Sequence, residues 1–96
     1  MTCEQLSGLL GMVKIDLGIM TKAYDARLTQ FIEASVKFIT EEGADLDLED
    51  VQDQHLVAMY AEWLWRRRDS GEGMPRMIRY ALNNRIFSRK MRESDG

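Results

Sequence analysis

Asp25-Ala26-Arg27-Leu28-Thr29-Gln30-Phe31-Ile32-Glu33-Ala34-Ser35-Val36-Lys37-Phe38-Ile39-Thr40-Glu41-Glu42 is the stretch whose reading decides the fold. Leu28, Phe31, Ile32, Ser35, Val36 and Ile39 recur at i, i+3, i+4 and i+7, which gathers them on one face of an α-helix. The spacing predicts a core-facing helix from Thr21 or Tyr24 to Glu42, closed by Gly43. Asp25 sits in its first turn, where a negative charge favours the helix dipole.

The same period continues on both sides. Toward the N-terminus, Leu6, Leu9, Leu10, Val13 and Leu17 form one apolar stripe on a helix from about Thr2 to Leu17. Thr2 and Gln5 have capping-box spacing, and Gly18 suits the left-handed turn that ends a helix. Gly8 and Gly11 each lower helix propensity by about 1 kcal/mol, so this helix depends on packing. Toward the C-terminus, seven acids and no base lie between Glu41 and Asp53, and Leu46 and Leu48 alternate with Asp45, Asp47 and Glu49. That pattern predicts an extended loop pinning two leucines inward. Asp50 then caps a third helix bearing Leu56, Met59, Tyr60, Trp63 and Leu64 and ending in Arg66-Arg67-Arg68, where the dipole favours cations. Asp69 to Gly73 reads as a turn, and Pro75 as the first residue of a fourth helix. Ile78, Leu82 and Ile86, with Met74, Met77 and Ala81 beside them, form its apolar stripe. Basic residues close that helix from Arg85 to Arg92, and Glu93 to Gly96 read as a frayed tail. The fold class is therefore all-α: a small bundle of about four helices in a single domain spanning residues 1–92.

With 96 residues, 45% hydrophobic and 30% charged, the chain suits one globular domain. A chain this short buries about 65% of its extended surface, so a partner that covers more apolar surface adds useful stability. The lack of a long apolar run and of a basic start points to a cytosolic chain rather than a membrane-bound one. Cys3, the single cysteine, has no second thiol for a disulfide or a metal motif and reads as an ordinary reduced thiol. The net charge of −3 conceals an asymmetry. Residues 1–55 hold 11 acids and 4 bases, a balance of −7, whereas residues 56–96 hold 5 acids and 9 bases, a balance of +4. Such a chain can associate head to tail if the fold keeps its two halves apart.

Catalytic and metal chemistry find little support. Asp45-x-Asp47-x-Glu49 spaces oxygens as a calcium loop does, yet the sixth position is Asp50 rather than glycine and the twelfth is Leu56 rather than a carboxylate. His55, the single histidine, has no nucleophile and acid at triad spacing. Neither a cofactor nor a metal is expected. Tyr60, Trp63 and Trp65 beside the arginine triplet have the composition of a nucleic-acid patch, but aromatic residues facing the core and arginines at a helix end account for them as well. If Tyr60, Trp63 and Leu64 face the core, Trp65 points away from it, an exposed tryptophan ringed by arginines and suited to anchor an interface.

Four segments taken in order resemble the head-tail connector (adaptor, or head-completion) family of tailed bacteriophages and prophages. They are Val13-Lys14-Ile15-Asp16-Leu17-Gly18-Ile19, Asp25-Ala26-Arg27-Leu28 through Phe31-Ile32-Glu33-Ala34-Ser35, Leu56 through Trp63-Leu64-Trp65-Arg66-Arg67-Arg68, and Pro75-Arg76-Met77-Ile78-Arg79-Tyr80-Ala81-Leu82-Asn83. The resemblance covers roughly residues 2–88, and it rests on the order and spacing of the segments. It implies a non-enzymatic virion protein, a helical bundle assembled as a dodecameric ring of about twelve copies beneath the portal. Its partners would be further copies of itself, the portal protein and a downstream neck or tail-completion protein. Packaged DNA would pass through the channel without sequence-specific binding, and the protein would sit in the virion neck after assembly in the host cytoplasm.

On this reading the candidate subunit or portal interface comprises Glu41, Glu42, Asp45, Asp47, Trp65, Arg66, Arg67, Arg68, Arg85 and Arg89. Arg85 to Arg92 is expected to order only on docking to the portal. The alternative is a small helix-turn-helix regulator in which Arg76, Arg79 and Arg85 face phosphate, although the five-residue turn is long for that motif.

Overall fold

The computed structural model describes residues 2–70 and 73–95, except for the side chains of residues 69, 70 and 88–95. Its described residues form an all-α bundle of four helices: α1 (Cys3–Leu17), α2 (Asp25–Glu41), α3 (Val51–Ser70) and α4 (Arg76–Asp95). Local chemistry sets most of the boundaries. At α1, the Gln5 N–H donates to Thr2 Oγ1 and the Thr2 N–H to Gln5 Oε1, completing the capping box. Gly18 adopts φ 71° and closes the helix with hydrogen bonds from Gly18 N–H to Ile15 O and from Ile19 N–H to Lys14 O. Gly43, at φ 110°, turns the chain after α2. Asp50 caps α3, its Oδ1 accepting from the Gln52 N–H at 2.9 Å.

α3 is the central helix and packs against all three others. The sequence predicts one buried stripe on it, but Leu56, Val57, Ala58, Tyr60, Ala61 and Trp63 are all buried, so nearly its whole circumference is covered. Ala58 and Ala61 are small enough to bring neighbouring helices close on sides where no stripe was expected. On α2 the predicted face holds: Leu28, Ile32, Ser35 and Ile39 are buried, and the Ser35 hydroxyl donates to Phe31 O at 2.6 Å. Leu46 and Leu48 pack against the core from the acidic loop, as the alternation implies.

The C-terminal half departs from expectation in four places. α3 continues through Ser70, so Asp69 and Ser70 are helical rather than part of the turn. Pro75 precedes α4 and contributes its carbonyl to the Arg79 N–H at 3.2 Å, one position outside the expected first turn. Met77 is exposed rather than beside the core stripe. Finally, α4 runs through Asp95, so Arg85 to Arg92 and Glu93 to Asp95 all lie within the helix.

Candidate functional site

The expected interface residues divide between two ends of α3. With 20 residues, α3 is about 30 Å long. Near its N-terminus lie exposed Asp45, Asp47, Glu49 and Asp50, whereas exposed Glu41 and Glu42 end α2 and Glu42 acts on Tyr60 in mid-α3; near its C-terminus lie exposed Arg66, Arg67 and Arg68, followed across the turn by exposed Arg76 and Arg79. The arginine triplet and the acidic loop thus lie at opposite ends of α3, a basic and an acidic pole, although Arg85 meets the loop and Glu42 and Arg67 both act on Tyr60 between them.

One acid and one base from those blocks meet inside the chain. Asp53 is buried, with 1% of its side chain exposed, and its Oδ1 accepts from Arg85 Nε at 2.6 Å. Asp53 Oδ2 accepts both from Arg85 Nη2 at 2.9 Å and from the Asp47 N–H at 2.7 Å. Arg85 Nη2 also donates to Asp45 O at 2.9 Å. This bidentate pair clasps the acidic loop between α3 and α4, and the hydrogen bond to Asp53 pushes the Arg85 guanidinium further up its already high range. Arg85 is therefore an internal clamp: it is withdrawn from the subunit contact and from the phosphate face of the helix-turn-helix alternative. The Arg89 side chain lies outside the described residues.

Trp65 is also more internal than its helical position suggests. Its ring meets Tyr24 edge-on at 5.2 Å and Phe31 at 6.3 Å, so α2 shields it. The Arg68 guanidinium lies 3.6 Å from the Trp65 ring centroid, Arg67 stands 4.9 Å from that of Trp63, and Arg27 covers Phe31 at 5.0 Å. Trp63 Nε1 donates to Gly73 O at 3.1 Å and ties the approach to α4 onto α3. Arg67 and Arg68 are thus partly a lid over the two tryptophan rings, and the Arg68 guanidinium also donates to Trp65 O at 2.5 Å. Trp65 belongs to the packed base of this pole instead of standing out from it as an anchor.

Two further features escaped the sequence reading. Glu62, 7% exposed in mid-α3, leaves Oε2 without a hydrogen-bond partner. Burial, together with a hydrogen bond to Asp16 and that residue's charge, pushes its carboxyl up to about 7. Glu62 and Asp16 come from different helices, and no sequence spacing links them. The second feature is a stripe of Met77, Tyr80 and Phe87 on α4, exposed by 74%, 62% and 63%. These residues span an arc of about 80° on the side of the helix away from Ile78 and Leu82. A helical-wheel projection of α4 would have revealed this second stripe.

Cys3 is exposed and has no disulfide. Among the described residues, no three metal-ligating side chains come together and no helix is long and apolar enough to cross a membrane. No protein-family model, curated protein or solved structure matches this chain.

Proposed function

We propose that this protein is a structural assembly subunit, a head-tail connector that forms a ring of about twelve copies beneath a phage portal and extends the DNA channel toward the tail. The observation that carries this reading is the placement of opposite charges at the two ends of α3. A ring needs a heterologous contact, in which one surface of a subunit meets a different surface of the next. A subunit with an acidic pole at one end and a basic pole at the other has two such surfaces. The ordered segments from Val13 to Asn83 give independent support through their resemblance to the connector family.

The pairs between poles are exposed, and each contributes only about 0.2 to 1 kcal/mol. They select orientation and speed encounter, while apolar surface supplies the affinity. Reversing Arg66, Arg67 and Arg68 to Glu tests this directly. The expected outcome is a folded chain that neither forms rings nor binds portal protein, whereas unchanged ring formation and portal binding contradict the reading. A gel shift with duplex DNA complements it: the connector reading predicts no sequence-specific complex.

A further inference from the structure

We infer that the exposed face of α4, centred on Tyr80 and flanked by Arg76 and Arg79, docks into the cleft between α1 and the acidic loop of a second copy of this chain. The contact rests on the assembly reading above and assigns its two halves to particular residues.

The donor half is the stripe of Met77, Tyr80 and Phe87. An amphipathic helix needs one apolar face to join its own core, and α4 already has one in Ile78 and Leu82, both buried. The second stripe remains more than 60% exposed at each of its three residues. Tyr80 combines an apolar ring with a hydroxyl able to hydrogen-bond at a rim, a combination enriched in interfaces. Arg76, one helical turn before Tyr80, and Arg79 are both exposed, so the apolar centre lies in a basic surround.

The acceptor half lies between α1 and the acidic loop. A cleft of about 280 Å³ of mixed character lies there, with Met12, Leu48 and Gly8 on its apolar side and Glu4, Gln5, Glu49 and Gln54 on its polar side. Gln5 Nε2 donates to Glu49 Oε1 at 3.2 Å and holds the loop side of the cleft against α1. The volume falls just below the roughly 300 to 1,000 Å³ typical of small-molecule pockets, and suits a protruding side chain. Its acidic edge complements arginines and repels another acidic surface. One chain thus carries an apolar knob in a basic surround and an acid-edged hole, and this charge complementarity makes a second copy the occupant. Each subunit both gives and receives, so the contact propagates until it closes on itself.

Gly8 gives a clean way to fill the hole. Gly8 lines the cleft and a Cβ built there meets nothing within 4 Å, so a leucine placed there is expected to occupy cleft space. Sedimentation velocity on full-length protein over a concentration series, with and without portal protein, reads the outcome. Tyr80→Ala and Gly8→Leu are each expected to weaken self-association at least about 30-fold, the effect of losing one interface hot spot. Circular dichroism should show both folded, with Gly8→Leu melting higher because leucine is the better helix former. Mixed in equal amounts, the two variants should form a discrete dimer and stop, because one retains the cleft and the other retains Tyr80. If wild type assembles and both variants assemble equally well, this contact is wrong and the assembly reading stands. If wild type remains monomeric under every condition, both fall.

Discussion

The acidic and basic poles use their charges differently. At the acidic pole, Asp53 is driven into the core and satisfied by Arg85 and the Asp47 N–H, so part of the charge holds the loop in place. At the basic pole, Arg67 and Arg68 lie over tryptophan rings with their charge still in solvent. Two stretches that look alike as runs of charge therefore differ in kind: a buried pair is costly to break, whereas exposed charges cost the fold less.

The largest effect should come from breaking the clasp. Arg85→Ala leaves the Asp53 carboxylate buried without its cation, and urea unfolding should show a loss of about 3 kcal/mol or more. Truncation after Asn84 removes the same cation together with Ile86 and should destabilise the chain by at least as much. Next in size is Trp65→Ala, which empties the half-buried contact with Tyr24 and Phe31; thermal melting should register a loss of about 2 kcal/mol.

Glu62→Gln separates internal from external charge by pH. The ordinary carboxyl value is 4.5 and the folded value about 7, so between those limits the folded state binds more protons than the unfolded state. Stability from this group is then fully present below pH 4.5, falls as pH rises and levels off above about 7. Glutamine cannot ionise, so the variant should lose this slope and exceed wild type by about 1 to 2 kcal/mol at pH 8. Equal pH slopes for the two proteins would contradict the assignment. A similarly small effect on the fold should come from reversing Arg66, Arg67 and Arg68 to Glu. Two cation–π contacts are lost, so stability should fall by about 1 to 2 kcal/mol in denaturant titration, against the loss of assembly proposed above. A loss as large as that of Arg85→Ala would erase the distinction between the poles.

Much of the fold was legible because its signals are local. Thr2 with Gln5, Gly18, Gly43 and Asp50 mark ends through chemistry confined to a few residues, and Leu28 to Ile39 declare their face by period alone. The clasp was not legible, since helical spacing tells which face a residue occupies but not what lies opposite. Arg85 looked like one more cation in a basic run, and its partner is 32 positions away. A local hint existed at Asp53, three and four positions before the core residues Leu56 and Val57. Trp65 was misread for a related reason: α3 is central, so a position turned away from one neighbour meets another. The division of charge into two halves was visible in the chain, but its separation along α3 required the fold.

The central claim is that this chain assembles with its own kind through unlike poles, and the mass of the wild-type protein in solution tests it most directly. Measured by sedimentation equilibrium over a concentration series, alone and with a portal protein, the mass should rise toward a closed multiple of the 11.1 kDa chain and fall back as salt screens the poles. A mass that stays at one chain at every concentration, with or without portal protein, would contradict the account.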